Sequence, residues 1–223
     1  MGNCIRIASF IVWTLMVPLV VLCQQPTSTP EDGPKKANAR PVEAAPAPPE
    51  PFDNASVEKM AASCVTLETE LGPIEIEMLP LSAPEAVRNF LNLASTGALD
   101  TTTFSRVVKN FVIQGGNLST GERWNAELAR RMSRKLLDEP GIIRHVRGIV
   151  SMARTEEPNS ATTHFFILVN EASHLDAKFA VFGRVITGME VVDVINQAPA
   201  VGEKPERPVK INRAIVFQCA GSK

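Results

Sequence analysis

The stretch FSRVVKNFVIQGG, residues 104–116, decides the fold of this 223-residue chain. Most of it belongs to a run, residues 103–114, that is rich in the β-branched and aromatic residues typical of strands. The closing pair Gly115-Gly116 is not followed by Gly-Lys-Ser or Gly-Lys-Thr, as a phosphate-binding loop would require. The stretch therefore predicts strand structure that ends at a tight backbone turn.

Similar strand-like segments lie on both sides of this stretch. Apolar and polar residues alternate over residues 65–71 and again over 74–78, and Gly72-Pro73 makes a turn between them, which predicts a hairpin. The remaining strand-like segments occupy residues 149–153, 165–169, 180–186 and 209–217. Many short strands with few helices are typical of a β-barrel.

Two helix-start patterns interrupt the strands. Ser82-Ala83-Pro84-Glu85 has the pattern of a capping box with proline in the first turn, and apolar residues follow it at helical spacing. Thr187-Gly188-Met189-Glu190 predicts a second, short helix that ends before Pro199. Residues 125–137 are rich in Ala, Leu, Arg and Glu, and a helical turn and a solvated loop are equally compatible with them.

These segments carry a resemblance to a known family. Residues 104–116 are similar to the cyclophilin signature F-x-R-x-x-x-x-F-x-x-Q-G-G, with every fixed position filled. Residues 148–167, GIVSMARTEEPNSATTHFFI, look like the bacterial form of the family's next motif, and Leu175-Asp176, Phe182-Gly183 and Gly188-Met189 follow in the expected order. The resemblance spans residues 65–217. It implies a mainly β fold, a closed eight-stranded antiparallel β-barrel capped by two α-helices, and peptidyl-prolyl cis/trans isomerase activity without a covalent intermediate.

The signature also supplies the candidate catalytic residues. Arg106 matches the family's catalytic arginine, and its guanidinium offers several fixed donors to the prolyl carbonyl and nitrogen. By the same resemblance, Phe111 belongs to the pocket that holds the proline ring and Gln114 hydrogen-bonds the substrate backbone. A solvated strand arginine is the alternative for Arg106, and the complete motif favours the catalytic role.

The resemblance extends to the residues expected to bind the substrate: Val112, Ala153, Arg154, Thr155, His164, Phe166, His174, Leu175 and Phe179. Val112, Phe166 and Leu175 match apolar pocket positions, for which plain barrel core is the alternative. Because Phe165 and Phe166 are adjacent on a strand, one of them can face the core while the other lines the site.

Four of these positions depart from the better-studied eukaryotic members of the family. His174 stands where cyclosporin-sensitive members have Trp, Phe179 where many have His, His164 where Gln is usual and Arg154 where Asn is frequent. We therefore expect weak cyclosporin binding with isomerase activity retained, because Phe179 keeps an apolar wall. The two histidines lack the Cys or carboxylate spacing of a metal site, so we expect no metal and no cofactor.

The N-terminus has the composition of an export signal. Residues 1–23 form this predicted signal, and no charged residue occurs within residues 7–23. Cys23 resembles the lipidated cysteine of a bacterial lipoprotein, although Leu22 stands where a small residue is expected. Lipidation at Cys23 and an uncleaved membrane anchor formed by residues 7–23 both remain open. N-myristoylation is a weaker alternative, because Arg6 occupies a position that prefers Ser or Thr.

The next segment, residues 24–60, is rich in Pro and Ala and has almost no large apolar residues, which predicts a disordered tether. The isomerase-like domain is predicted to occupy residues 61–223. We expect an exported protein of the bacterial cell envelope or periplasm, held at the membrane through Cys23 or the residue 7–23 run. The N-terminal segment would then be its sole membrane contact.

The net charge of −1, with Lys and Arg scattered, gives no basic surface for a nucleic-acid backbone, so we expect no nucleic-acid partner. The sequence has no G-x-S-x-G or H-E-x-x-H, and its Ser, His and Asp residues follow no order that suggests a triad. We expect a monomer that acts on Pro-containing polypeptide clients. The alternative is a non-catalytic cyclophilin-fold binding module or holding chaperone, which the filled Arg106, Phe111 and Gln114 positions disfavour.

Two cysteines flank the first and last predicted strands. If Cys4 and Cys23 belong to the export signal, the predicted domain keeps Cys64 and Cys219. A disulfide between them, formed in an oxidising compartment, and two reduced buried thiols are equally supported by the sequence.

Overall fold

The computed structural model describes residues 49–219, which contain ten β-strands, four α-helices and two short 3₁₀ helices joined by loops. The helices are α1 (Val57–Ala61), α2 (Pro84–Ser95), α3 (Ala126–Ser133) and α4 (Met189–Gln197). The strands are β1 (Ser63–Thr69), β2 (Gly72–Met78), β3 (Arg106–Val108), β4 (Val112–Gly115), β5 (Ile149–Met152), β6 (Phe165–Leu168), β7 (Val181–Thr187), β8 (Ala200–Val201), β9 (Lys204–Pro205) and β10 (Ile211–Gln218).

Eight of these strands form one curled antiparallel sheet in the order β10-β1-β2-β7-β5-β6-β4-β3. The mainly β, eight-stranded antiparallel fold expected from the sequence is therefore confirmed. The sheet is not the fully closed barrel expected, because its edge strands β3 and β10 form no ladder with each other in the described chain. The residues just before these two strands meet instead, through a bridge between Thr103 and Lys210 and a 2.9 Å hydrogen bond from Phe104 N to Val209 O.

The main core lies between the sheet and α2. Alternate residues of β1 and β2 are buried on one face, as their polar–apolar alternation predicts. From α2, Phe90 packs against Phe165 of β6 and Phe182 of β7, with ring centroids 5.2 and 4.9 Å apart. This aromatic layer fixes the helix against the middle of the sheet.

The start of α2 differs from its predicted capping box. The N-cap residue is Ala83, one position later than Ser82, and its side chain makes no capping hydrogen bond. The Glu139 carboxylate accepts hydrogen bonds from the backbone N–H groups of Glu85 and Ala86 instead, at 3.0 and 2.8 Å. The helix dipole also stabilises the negative charge of Glu139 at this N-terminal end. The cap thus comes from a loop far along the chain.

Residues 49–60, which the sequence analysis assigns to the tether, are ordered on the domain. Phe52 is buried, and its backbone N–H donates to Asn92 Oδ1 of α2 at 2.7 Å. Arg88 of α2 donates to the carbonyl oxygens of Phe52 and Ala55. Large apolar residues in this Pro-rich stretch, Phe52 and Met60, supply the burial that the composition as a whole does not predict. The ordered domain therefore begins before residue 61.

The predicted export signal, residues 1–23, and the tether as far as residue 48 lie outside the described residues. Between residues 49 and 219, the structure contains no helix with the length and apolar character needed to cross a membrane. Of the two possibilities for residues 125–137, the structure shows the helical one, because α3 covers Ala126–Ser133 with Asn125 as its N-cap.

A disulfide joins the two ends of the described domain. Cys64 of β1 and Cys219, just after β10, are bonded through their sulfur atoms, with Cα atoms 5.2 Å apart. The strands are neighbours in the sheet, with Ser63 opposite Gln218. Of the two states left open by the sequence, the structure has the bridge.

Candidate active site

Arg106 and Gln114 lie opposite each other in the β3–β4 ladder, so their side chains leave the same face of the sheet. Arg106 Nη1 donates a 3.1 Å hydrogen bond to Gln114 Oε1. The turn after β4 needs glycine at position 116, where φ is +83° and an added Cβ would lie 2.2 Å from Thr163 O. The sequence signature thus places the Arg106 cation beside the Gln114 amide, and Gly116 ends strand β4 just after Gln114.

An apolar wall stands beside this pair and consists of Phe111, Val112, Phe166, Leu175 and Phe179. Phe166 faces the pocket from β6, and its ring packs edge-on against Phe179 with centroids 6.0 Å apart. The wall belongs to a small cluster of buried residues that is separate from the main core. Phe165, its neighbour in β6, lies in the main core, as the alternation predicted.

Ala153 and Arg154 complete the rim of the pocket after the end of β5. Ala153 N donates to His164 O at 2.9 Å, which holds this segment against the residues before β6. The Arg154 guanidinium carbon lies 4.9 Å from the centre of the Phe179 ring, within cation–π distance. The structure therefore gathers nine of the twelve predicted site residues around one pocket that has apolar walls and guanidinium groups at its edge.

One residue at this site has no counterpart in the sequence analysis. Glu203 lies in the turn of the β8–β9 hairpin and forms a bidentate ion pair with Arg106: Nε to Oε2 at 2.6 Å and Nη2 to Oε1 at 3.1 Å. Hydrogen bonding to Arg106 lowers the pKa of the Glu203 carboxyl below its usual range. The two residues are 97 positions apart, and no local pattern in the sequence marks Glu203.

The family of the chain follows from comparison of its sequence with those of known proteins. Residues 64–216 match the model of the family described as cyclophilin type peptidyl-prolyl cis-trans isomerase/CLD. The chain belongs to the cyclophilin family. It is therefore a peptidyl-prolyl cis-trans isomerase, and proline-containing peptides are what cyclophilins bind.

Two bacterial relatives are each named peptidyl-prolyl cis-trans isomerase. The Acinetobacter baylyi protein is 38% identical over 166 residues, covering 70% of this chain and 86% of the relative. The Dickeya dadantii isomerase A is 37% identical over 161 residues, covering 70% and 82%. The crystal structure of a Cryptosporidium parvum cyclophilin superposes with a TM-score of 0.63 at 26% identity, covering 71% of this chain and 99% of that one. A second structure of that protein, with a TM-score of 0.62, was obtained in the presence of the dipeptide Ala-Pro.

Three predicted substrate-binding residues of this cyclophilin lie next to the pocket without lining it. Thr155 is exposed, and its hydroxyl lies 2.8 Å from Ser160 Oγ in the loop after β5. The ring centroid of His174 is 5.6 Å from that of Phe111, so His174 supports the apolar wall from outside. His164 is partly buried, and desolvation lowers the pKa of its imidazole, which favours the neutral ring.

The cyclophilin domain brings a Ser, a His and an Asp together, although their order in the sequence does not suggest a triad. His145 Nδ1 lies 3.0 Å from Asp176 Oδ1, and His145 Nε2 lies 3.2 Å from Ser151 Oγ. Asp176 also accepts a 2.7 Å hydrogen bond from His145 N, and this bond is the main cause of its lowered pKa. Ser151 and His145 have no exposed surface, so no substrate carbonyl reaches the hydroxyl. The hydrogen bonds from His145 hold Asp176, whose neighbour Leu175 lines the pocket.

The pocket residues of this cyclophilin offer donors and apolar surface and no evident ligand set for an ion. Across residues 49–219, no three His, Cys, Asp or Glu side chains are grouped so that they could share a metal ion.

Proposed function

We propose that the pocket holds the proline of an X-Pro segment, and that Arg106 is the main catalytic residue for rotation of the bond before it. The barrier to rotation about a peptide bond is about 18 to 20 kcal/mol, and X-Pro isomers interchange over tens to hundreds of seconds. No covalent bond is broken in this reaction. An acceleration of about 10⁵-fold requires about 7 kcal/mol of transition-state stabilisation.

Electrostatic complementarity to the twisted amide accounts for part of this stabilisation. When the amide twists, conjugation is lost and a lone pair develops on the proline nitrogen. A guanidinium has five N–H donors, and Arg106 uses three of them for Glu203 and Gln114. The two that remain are available to the prolyl carbonyl and nitrogen. Interactions that strengthen as the amide twists raise the rate, whereas equal binding of both states does not.

The apolar wall supplies the second contribution to catalysis by holding the proline ring. Phe111, Phe166 and Leu175 offer the proline ring a buried surface, which positions the bond beside Arg106. Ala153 and Arg154 at the rim are proposed to contact the substrate backbone, as is Gln114. The observation that carries the proposal is the arrangement of a half-buried cation and an amide, 3.1 Å apart, directly beside this wall.

The test is protease-coupled isomerisation of a short X-Pro peptide by the full chain in mild detergent. Arg106→Ala is expected to lower kcat/KM by about a hundredfold, because the main transition-state donor is lost. Arg184→Ala is the matched control, since Arg184 is also a strand arginine paired with a glutamate, Glu77, and lies outside the pocket. With both variants folded by circular dichroism, equal activity of Arg106→Ala and wild type would refute the proposed role.

We further propose that the protein acts as a monomer on exported proteins in the bacterial envelope, tethered at the membrane through Cys23 or the residue 7–23 run. The uncharged N-terminal run, the Pro- and Ala-rich segment after it and the two bacterial relatives support this placement. The Cys64–Cys219 disulfide supports an oxidising compartment.

Cell fractionation followed by intact-mass analysis tests the placement. A membrane-bound protein that keeps residues 1–23, or one that starts at a lipidated Cys23, supports it. Recovery of the full chain in the cytoplasm with both domain cysteines reduced would refute it. Size-exclusion chromatography with light scattering tests the oligomeric state, and a mass of two or more chains would refute the proposed monomer.

A further inference from the structure

The feature that the family assignment does not explain is the ion pair between Arg106 and Glu203. Glu203 occupies the Nε and Nη2 edge of the guanidinium with both carboxylate oxygens, and Gln114 accepts from Nη1. Every nitrogen of the Arg106 head group is therefore held by a protein acceptor. An arginine fixed by three hydrogen bonds has little rotational freedom left, which is what a preorganised donor requires.

The hairpin that carries Glu203 is itself attached beside Arg106. Glu203 O accepts a 2.8 Å hydrogen bond from the N–H of Val107, the residue that follows Arg106 in β3. Gly202, with φ of +62°, forms the two-residue turn of the hairpin together with Glu203. At the base of the hairpin, Glu206 N donates to Pro199 O at 2.9 Å. Main chain and side chain of Glu203 thus both bond to consecutive residues of β3.

The ion pair contributes little to folding. The side chains of Arg106 and Glu203 are 38% and 56% exposed, and pairs at such exposure stabilise proteins only weakly. A bidentate pair does, however, fix the plane and direction of a guanidinium. Its main effect is therefore expected on the orientation of Arg106 rather than on the free energy of unfolding.

We propose that Glu203 is a positioning residue for the isomerase reaction, which holds Arg106 so that its two remaining donors point at the prolyl amide. The inference rests on the catalytic role of Arg106 in the proposed function. The opposing possibility is that the carboxylate competes with substrate for Arg106 and partly neutralises its charge, in which case removal of Glu203 would raise activity.

The two possibilities predict opposite orders of activity in the full chain. For a positioning role, kcat/KM falls about tenfold in Glu203→Ala, and most of the loss lies in kcat because the apolar wall still binds the proline. Glu203→Gln keeps one acceptor oxygen and the same shape, and is expected to lie between Glu203→Ala and wild type. Glu206→Ala is the matched control, because Glu206 is an exposed carboxylate next to the hairpin and is not a hydrogen-bond partner of Arg106 in the described chain.

A spectroscopic readout separates positioning from general damage to the hairpin. The Nε–H resonance of Arg106, observed by NMR, is expected to shift in Glu203→Ala, to shift less in Glu203→Gln and to stay in place in Glu206→Ala. Circular dichroism and the urea midpoint should be the same in all three variants. A shifted resonance with unchanged kcat would overturn the inference, as would activity that rises from wild type through Glu203→Gln to Glu203→Ala.

A double-variant cycle distinguishes failure of this inference from failure of the proposed function. Glu203→Ala should have no further effect on kcat/KM in an Arg106→Ala background, because Glu203 acts through Arg106. A large additional loss in that background would overturn the inference. If Arg106→Ala alone keeps full activity, the catalytic assignment fails first. If Arg106→Ala is inactive and Glu203→Ala is fully active, only the positioning role is refuted.

Discussion

Removal of the Cys64–Cys219 bridge is expected to destabilise the domain strongly while leaving its fold unchanged. The two cysteines are 155 residues apart, so the bridge closes nearly the whole domain into one loop. For a loop of this length, the chain-entropy relation gives about 5 kcal/mol of stabilisation through the unfolded state, and native bridges in small exported domains usually contribute about 2 to 5 kcal/mol. With a urea m-value of about 2 kcal/mol/M, the midpoint should fall by about 1 to 2.5 M.

The assay is urea unfolding, followed by circular dichroism, of the full chain with Cys4 and Cys23 replaced by Ser in every protein. This background is compared with the same protein carrying Cys64→Ala and Cys219→Ala, each with and without reductant. Reductant should lower the midpoint of the background protein to that of the bridge-free protein, and should not affect the latter. Equal midpoints in all four conditions would refute the reasoning, because the β1–β10 ladder alone would then hold the ends together.

Three further outcomes are expected. Phe90→Ala should lower the free energy of unfolding in urea by about 3 to 5 kcal/mol, because it empties the centre of the aromatic layer; a loss below about 1 kcal/mol would contradict that packing. Burial lowers the pKa of His145 below its ordinary 6.5 despite the opposing effect of Asp176, so the folded state disfavours the proton that the unfolded state accepts. The free energy of unfolding should therefore fall as the pH drops below 6.5, and His145→Gln should make this dependence on pH weaker. An unchanged pH dependence in His145→Gln would contradict the role of His145. Gln114→Ala, which frees Nη1 of Arg106, should lower kcat/KM about tenfold in the protease-coupled assay, and an unchanged value would show that the amide is not needed.

The elements that could be predicted from the sequence are those set by local patterns. Alternation gave the β1–β2 hairpin, and helical spacing gave α2 and α4, because buried faces impose periods of two and of about 3.6 residues. The cap of α2 was mispredicted, because its acceptor is Glu139, more than fifty residues beyond the helix start. Residues 49–60 show the same limitation at the N-terminal edge, because Phe52 and Met60 become buried and Arg88 and Asn92 of α2 bond to the backbone of this Pro-rich segment.

In the candidate site, too, local patterns could be predicted from the sequence and contacts between distant residues could not. Arg106 and Gln114 belong to one local motif and pair in one ladder, so the motif alone predicts that both lie in the site. Glu203 approaches from a hairpin near the other end of the chain, and nothing in its neighbours predicts an arginine partner. Asp176 likewise reaches His145 and Ser151, which lie six residues apart around the start of β5, from a segment about thirty residues further along the chain. Such contacts depend on tertiary geometry, which residue spacing does not encode.

The separation of the apolar wall from the main core bears on how this domain can change over evolutionary time. The side chains proposed to bind the substrate and the side chains that hold the sheet to α2 lie in different clusters of buried residues, so we expect a replacement in the apolar wall to disturb the packing around Phe90 little. His174 and Phe179 stand at two of the positions that depart from the eukaryotic pattern, and they contact Phe111 and Phe166 of the apolar wall. We therefore expect single replacements at these positions to change substrate preference with little loss of fold stability, whereas close packing constrains Phe90 and its aromatic partners.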